Sequence, residues 1–396
     1  MAIAQGYRSA AYLGWDEDIH NDLTAPDFYR VPFMTNNLTY TQALNESAVL
    51  RGVRATARPF FGNKTAEGNL DVPFDADVSG IVFKAMCGNS TSKDAVTAID
   101  EDFAVWTASS TYKVGDIVKD SDTATGVLDT YFICTKAGTS DATEPTWTSV
   151  VGDEFVDGTV EWVASQDYVH KFWVDVNALP YMFVEKTFPD IEEYVVYRGL
   201  KANTVSLDVG GDGEMMMGVS MMGVRADDIA QTSISEAGGD ETDLTVGRFQ
   251  FQNFKADLSS SVMTADELNA IMDVSIEFNN NLQGDIYTIN SRGARREIPE
   301  GMMAISGSIN ALFENTSMIV KATDGTEIDM TFSFVEGNHL CRIDIPEARI
   351  EPFDPSVDGP EGVTASINFI AYSDDDMDAP VTITLTNGIA SYDPVI

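Results

Sequence analysis

An internal echo constrains this chain more than any single motif. In the N-terminal part, Phe33-Met34-Thr35-Asn36-Asn37-Leu38 is followed by Gly52-Val53-Arg54 and by Ala66-Glu67-Gly68-Asn69-Leu70-Asp71-Val72. Later, Ile276-Glu277-Phe278-Asn279-Asn280-Asn281-Leu282, Gly293-Ala294-Arg295 and Ile305-Ser306-Gly307-Ser308-Ile309-Asn310-Ala311 repeat the order, at offsets drifting only from 244 to 239. Asp75 to Met86 then parallels Glu314 to Thr323, each a short helix opened by Asp, Ser or Thr residues able to cap it. Thr204-Val205-Ser206-Leu207 with Val219-Ser220-Met221 resembles Arg349-Ile350-Glu351, an Asp358-Gly359 turn and Ala365-Ser366-Ile367-Asn368-Phe369, each a hairpin with period-two alternation. Two copies of one β-rich unit account for this better than chance alternation does.

One stretch has no counterpart. Removing residues 103–165 leaves 165 residues before position 229 and 168 from there on, so the copies match in size. The reading is a first domain of residues 1–102 and 167–228, an inserted small β-module at 103–165, and a second domain at 229–396. The insertion carries three of the five tryptophans, with short strands and turn residues at close intervals. Exposed Tyr112, Tyr131, Trp147 and Trp162 would offer stacking faces to sugar rings. A module this small also needs large aromatics simply to make a core.

Charge and motif content exclude several functions. With 63 Asp or Glu against 24 Lys or Arg the formal net charge is -39, which repels nucleic acid and anionic lipid alike. The longest nearly apolar run, Met215 to Val224, is half of what a bilayer-spanning helix requires. The N-terminus lacks the basic and apolar regions of a secretion signal, so synthesis in the cytosol is expected. Cys87, Cys134 and Cys341 are odd in number and far apart, which fits reduced thiols. His20, His170 and His339 are too widely spaced to ligate a metal as a pair. No phosphate-cradle or nucleophile-elbow motif is present, so neither an enzyme nor a cofactor is expected. Asp374-Asp375-Asp376-Met377-Asp378 and Asp120-Ser121-Asp122 lack the calcium-loop register and read as solvated turns. Paired carboxylates for a hydrolase have no specific support, since acids are plentiful everywhere.

The stretch Leu50-Arg51-Gly52-Val53-Arg54-Ala55-Thr56-Ala57-Arg58-Pro59-Phe60-Phe61, continuing to Gly68-Asn69-Leu70-Asp71-Val72, resembles the major tail tube proteins of long, non-contractile-tailed bacteriophages. So does the segment from Tyr197-Arg198-Gly199-Leu200-Lys201-Ala202-Asn203 to Val219. The insertion separately resembles small carbohydrate-binding-like tail modules, through Tyr112-Lys113-Val114-Gly115-Asp116, Ala137-Gly138-Thr139-Ser140 and Glu144-Pro145-Thr146-Trp147. The resemblance implies a mainly β fold: two tandem β-sandwich or half-barrel domains, each with a short flanking helix, plus the inserted all-β domain. It further implies a structural virion protein, assembled in the host cytoplasm, whose stacked rings form a conduit for genomic DNA. Rings of six such folds need three two-copy chains, with six chains as the alternative. Partners implied are further copies of the chain, the tape measure, tail terminator and tail tip proteins, and DNA in transit without specific binding; no membrane is involved. A secreted sugar-binding adhesin, taking a host glycan through its Trp-rich insertion, is the competing reading.

Alternation assigns residues to that picture. Glu67, Asn69 and Asp71 share one strand face, as do Ser306, Ser308 and Asn310, and Ser366 and Asn368; these are the candidates for lining a bore. A basic wall would grip phosphates and stall DNA, whereas an acidic one repels it. Arg51, Arg54 and Arg58, and the matching Arg292, Arg295 and Arg296, are expected to contact the next ring.

Overall fold

The computed structural model describes residues 3–23, 26–52, 54–121, 129–175, 178–210, 214–236, 240–244, 249, 256–355, 357, 362–373 and 379–393. Val53, Asp122, the Asp358-Gly359 turn and the run Asp374–Asp378 lie outside these residues. The chain is mainly β. Its principal strands are β1 (Thr39–Asn45), β2 (Phe60–Pro73), β3 (Gly88–Lys93), β4 (Tyr168–Val174), β5 (Met182–Phe188), β6 (Glu193–Gly210) and β7 (Met216–Gly223). Then follow β8 (Ile271–Asn279), β9 (Ala304–Leu312), β10 (Glu327–Glu336), β11 (His339–Ile350), β12 (Thr364–Ala371) and β13 (Thr382–Asn387). The helices that matter here are α1 (Val78–Cys87), α2 (Ala95–Glu101) and α3 (Ser317–Asp324).

Antiparallel ladders join eight strands in the order β1-β2-β7-β6-β8-β9-β12-β11. The alternation in the sequence becomes two faces of this layer. In β7, Met217, Val219 and Met221 are buried, and in β12, Ala365, Ile367, Phe369 and Ala371 are, while their neighbours point away from the core. The apolar face packs on Val184, Phe332, Phe334, Ile343 and Ile383 from a second layer. Two long strands serve both layers. β6 pairs with β5 as far as Leu200 and with β7 from Lys201 onward, and β11 pairs first with β13 and then with β12 while keeping β10 as a partner through Arg349. A strand that changes layers needs a corner, and β6 makes it with a bulge between Ala202 and Thr204 and with Gly199 at φ +60°. A Cβ at Gly199 would also stand 2.9 Å from the Val224 side chain.

The ladder order has a pattern. β2, β7 and β6 in the N-terminal half are followed by β9, β12 and β11 in the C-terminal half, in the same order and direction. Ala66 pairs with Gly223 and Ile305 with Ala371, so the offset of 239 between the Ala66 and Ile305 segments is also the ladder's offset. The Asn-Asn-Leu landmark does not share it. Thr35 pairs with Asp71 and Asp273 with Asn310, which sets Asn36 level with Val274 and not with Asn280. Asn280 does a different job: buried beyond the end of β8, it donates from Nδ2 to the backbone oxygens of Met86 at 3.1 Å and Ala202 at 3.0 Å.

The helices differ in burial. All ten residues of α1 are buried, packed on β6, β4 and β3, with Tyr392 of the C-terminal segment against Gly80. Gly80 is required there, because a Cβ would meet the Tyr392 ring at 2.1 Å. In α3 only Ala322 is buried. After α3, left-handed Gly325 turns the chain directly into β10. After α1 the chain runs through β3, α2, the insertion and β4 before β5, so the stretch without a counterpart is wider than 103–165.

Burial around the start of α1 makes the fold sensitive to pH. Asp77 is 3 % exposed and its Oδ1 has no hydrogen-bond partner. Burial, followed by the neighbouring charge of Asp75, pushes its carboxyl up to about 6. An acid whose folded pKa exceeds its unfolded value costs stability as pH rises through that window, here from about 4 to 6. Asp77→Asn should therefore add about 2 kcal/mol at pH 7.5 and almost nothing at pH 4, read from urea melts at both values. Equal effects at the two pH values would show that ionisation is not the cause. His170 acts in the opposite sense. Buried between Ser92 and Asn387, it is held down to about 4, so its contribution is lost as pH falls below 6.5.

Candidate functional site

The outward face of the eight-strand layer is a continuous polar surface that spans both halves of the chain. Glu67, Asn69 and Asp71 on β2, Ser306, Ser308 and Asn310 on β9, and Ser366 and Asn368 on β12 all lie on it, exposed or half-buried. The pairing carries the face across the strands between them. Asn69 stands opposite Ser220, Ser220 opposite Thr204, and Thr204 opposite Asn279. Glu277 stands opposite both Ser206 and Ser306, and Ser308 opposite Asn368. Thr204, Ser206, Asp208, Ser275 and Glu277 thus belong to the face in addition to the eight residues expected from the sequence. Their signal was present in the strict alternation of Thr204-Val205-Ser206-Leu207-Asp208 and Val274-Ser275-Ile276-Glu277.

The chemistry of the face is mainly hydroxyl, amide and carboxylate, with exposed Ile370 near the end of β12 an apolar exception. Thr35 donates to Asp71, and Asn310 Nδ2 donates to Asp273 at 2.6 Å. Glu67 is the exception to a free acidic surface, because its carboxylate takes Arg295 at 3.0 Å. Such groups hold a water layer well and present few positive charges to a polyanion.

The two arginine clusters have different fates. Arg51, Arg54 and Arg58 are exposed in the connection between β1 and β2, with Arg51 donating to its own loop at Thr56 O. Arg292 and Arg296 are exposed in the connection between β8 and β9. Arg295 corrects the expectation of a contact with the next ring. It is 4 % exposed and is used up within the chain on the backbone oxygens of Gly284, Ala66 at 3.1 Å and Gly223 at 3.2 Å. Its neighbours in the loop do the same work: Gly293 O accepts from Lys64 N at 2.7 Å, and Ile298 O accepts from buried Lys201 at 3.1 Å. This loop and the seven pairs from Thr204–Asn279 to Gly210–Asp273 fasten the halves together.

The proposed sugar platform is also corrected. Tyr131 and Trp162 are fully buried and have no face to offer. Trp147 stacks on Phe132 with centroids 4.0 Å apart, and Tyr112 meets Trp162 edge-on. The aromatics form a core because their polar atoms find partners inside: Asp157 accepts from Trp106 Nε1 at 2.8 Å and Trp162 Nε1 at 3.2 Å, and Glu144 accepts from Trp147 Nε1 at 2.7 Å. The other side of the insertion's sheet packs Tyr131, Ile133 and Val163 on Ala98 and Ile99 of α2 and on Val335 and Leu340 of the β10–β11 hairpin. Deleting 103–165 and bridging with a Gly-Ser linker should therefore uncover Val335 and Leu340 and cost about 3 kcal/mol. A thermal melt unchanged by the deletion would show that the insertion contributes nothing to the body.

Among the described residues no group of three or more His, Cys, Asp or Glu is arranged to hold a metal ion, and no helix is long and apolar enough to cross a membrane. Cys87, Cys134 and Cys341 are buried free thiols, with burial pushing Cys87 and Cys134 up to about 12. The family model described as phage tail tube protein matches residues 8–371. No curated protein matches the chain.

Proposed function

The chain belongs to the phage tail tube protein family, and from that premise we propose that it self-assembles into stacked rings whose bore is lined by the polar face of the eight-strand layer. A phage tail component of this kind is structural. The observation that carries the reading is the continuity of that face across the β6–β8 ladder, where the two halves already pair edge to edge. An outer edge of a sheet is an aggregation hazard unless paired, and closing a ring pairs every edge. The equal order of β2-β7-β6 and β9-β12-β11 supports two copies of one tail-tube unit, residues 1–102 with 167–228 and residues 229–396. Three chains then supply six units to a ring. The tape measure, tail terminator and tail tip proteins are the partners this role requires, and double-stranded DNA passes without base-specific contact, as in a long non-contractile tail. The insertion, packed beside the β10–β11 hairpin, is assigned to the outside. With its aromatic residues turned inward, the adhesin reading loses its motivating feature.

Native mass spectrometry with electron microscopy of the purified chain tests this. Hollow rings of three chains are expected. Rings of six full-length chains would overturn the trimer and keep the tube, and a chain that stays monomeric at all concentrations would overturn both.

A further inference from the structure

Matching positions in the two halves are buried in one and bare in the other. Lys201 pairs with Met222 beside the Ala66–Gly223 end of its ladder, and Arg349 pairs with Ile370 beside the Ile305–Ala371 end of its own. Lys201 is 3 % exposed because the loop between β8 and β9 lies over it. The Arg349 side chain is 57 % exposed, and Ile370 next to it is 50 % exposed. The ladder end that receives Arg295 in the first half, the Ala66 and Gly223 oxygens, has its match in Ile305 and Ala371.

The loop that matches 280–303 is 46–59, between β1 and β2. Both contain Gly-x-Arg, with Gly52 and Gly293 left-handed at φ +69° and +83°. The second loop is packed down, and the described residues of the first, 46–52 and 54–59, are exposed or half-buried. Leu50 is 97 % exposed, Val49 67 % and Phe61 71 %, and Arg54 is exposed where Arg295 is buried. Among the described residues β1 pairs with β2 as its ladder partner, whereas its match β8 is paired on both edges. The loop cannot reach its matching place within its own chain without crossing the layer. β2 and β12 are five strand steps apart, about 24 Å in the hydrogen-bonding direction.

We infer that residues 46–61 of one chain dock on the second half of the next copy in the same ring, as 280–303 docks on the first half of its own chain. Arg54 takes the place of Arg295, donating to the Ile305 and Ala371 oxygens of the neighbour. The exposed apolar residues of the loop cover Ile370 and the stem of Arg349. The occupant is a second copy because the complementary surface exists on this chain, in the register that its own halves already use. This inference rests on the ring reading and replaces contacts between rings with contacts within a ring for Arg54.

Arg54→Ala in the full chain, compared with wild type and with Lys136→Ala, an exposed lysine of the insertion, provides the test. The expected result is an unchanged thermal melt for the monomer and a rise of about ten- to hundredfold in the concentration needed for rings, with Lys136→Ala like wild type. A second variant, Arg54→Cys with Ser306→Cys, uses the position that matches the Arg295–Glu67 pair. A bis-maleimide should link it into dimers and trimers and no further. Wild-type rings with Arg54→Ala rings forming at the same concentration would overturn the inference alone. Single rings that fail to stack would overturn it in favour of a contact between rings. A wild type that never forms rings would overturn the ring reading along with it.

Discussion

Arg295→Ala should destabilise the chain by about 3 kcal/mol in urea unfolding, the largest loss expected for any single residue of the β8–β9 loop. The guanidinium is almost fully enclosed and closes the ladder end at Ala66 and Gly223 while holding its own loop at Gly284. Truncation leaves buried carbonyl oxygens without donors and a cavity the size of the head group. The ion pair with Glu67 is a minor part of this, because that carboxylate is 52 % exposed and screened by water. Glu67→Gln should accordingly cost well under about 1 kcal/mol. Arg295→Lys should recover only part of the loss, since a single ammonium cannot reproduce a planar fork that reaches three backbone oxygens. If Arg295→Ala melted with wild type and Glu67→Gln did not, the surface ion pair and not the buried fork would be what joins the halves.

Much of the architecture was legible, and the reason is physical. A strand with one wet and one dry face must alternate, so the faces of β2, β9 and β12 follow from the order of residues. The helices α1 and α3 fell where Asp75 to Met86 and Glu314 to Thr323 placed them. Failures came where letters were matched without their hydrogen-bond partners. Asn36-Asn37 and Asn280-Asn281 look alike, but the first pair lies within the layer opposite Leu70 and Asn69, and Asn280 ties β8 to α1 and β6. The destination of Arg295 was hidden for the same reason: Ala66 and Glu67 lie more than two hundred residues from it and Gly223 lies 72, and no local pattern distinguishes it from exposed Arg54. The tryptophans of the insertion read as a platform because sequence shows rings but not the carboxylates, Asp157 and Glu144, that let them turn inward.

The second large effect concerns the polar face itself, where Asp208, Glu277 and Ser366 are exposed on β6, β8 and β12 and stand away from the Arg295 contact. Replacing all three by Lys should leave the fold intact, since none is buried, and should convert a repelling wall into a binding one. In a ring of three chains the change supplies about nine ammonium groups, and neutralising six to ten phosphates shifts duplex affinity by about 10³ to 10⁵ between 50 and 200 mM salt. Wild-type tubes are expected to retain no duplex at either salt concentration. Variant tubes should hold linear duplex at low salt, release it at high salt, and deliver DNA poorly from virions that carry them. Geometry separates a bore from an outer surface. A linear duplex can thread a tube and a covalently closed circle cannot, so retention of linear DNA alone places these residues in the path of the genome. Equal retention of circles would place the face on the outside of the tube and overturn its assignment as the lining, while leaving family membership untouched.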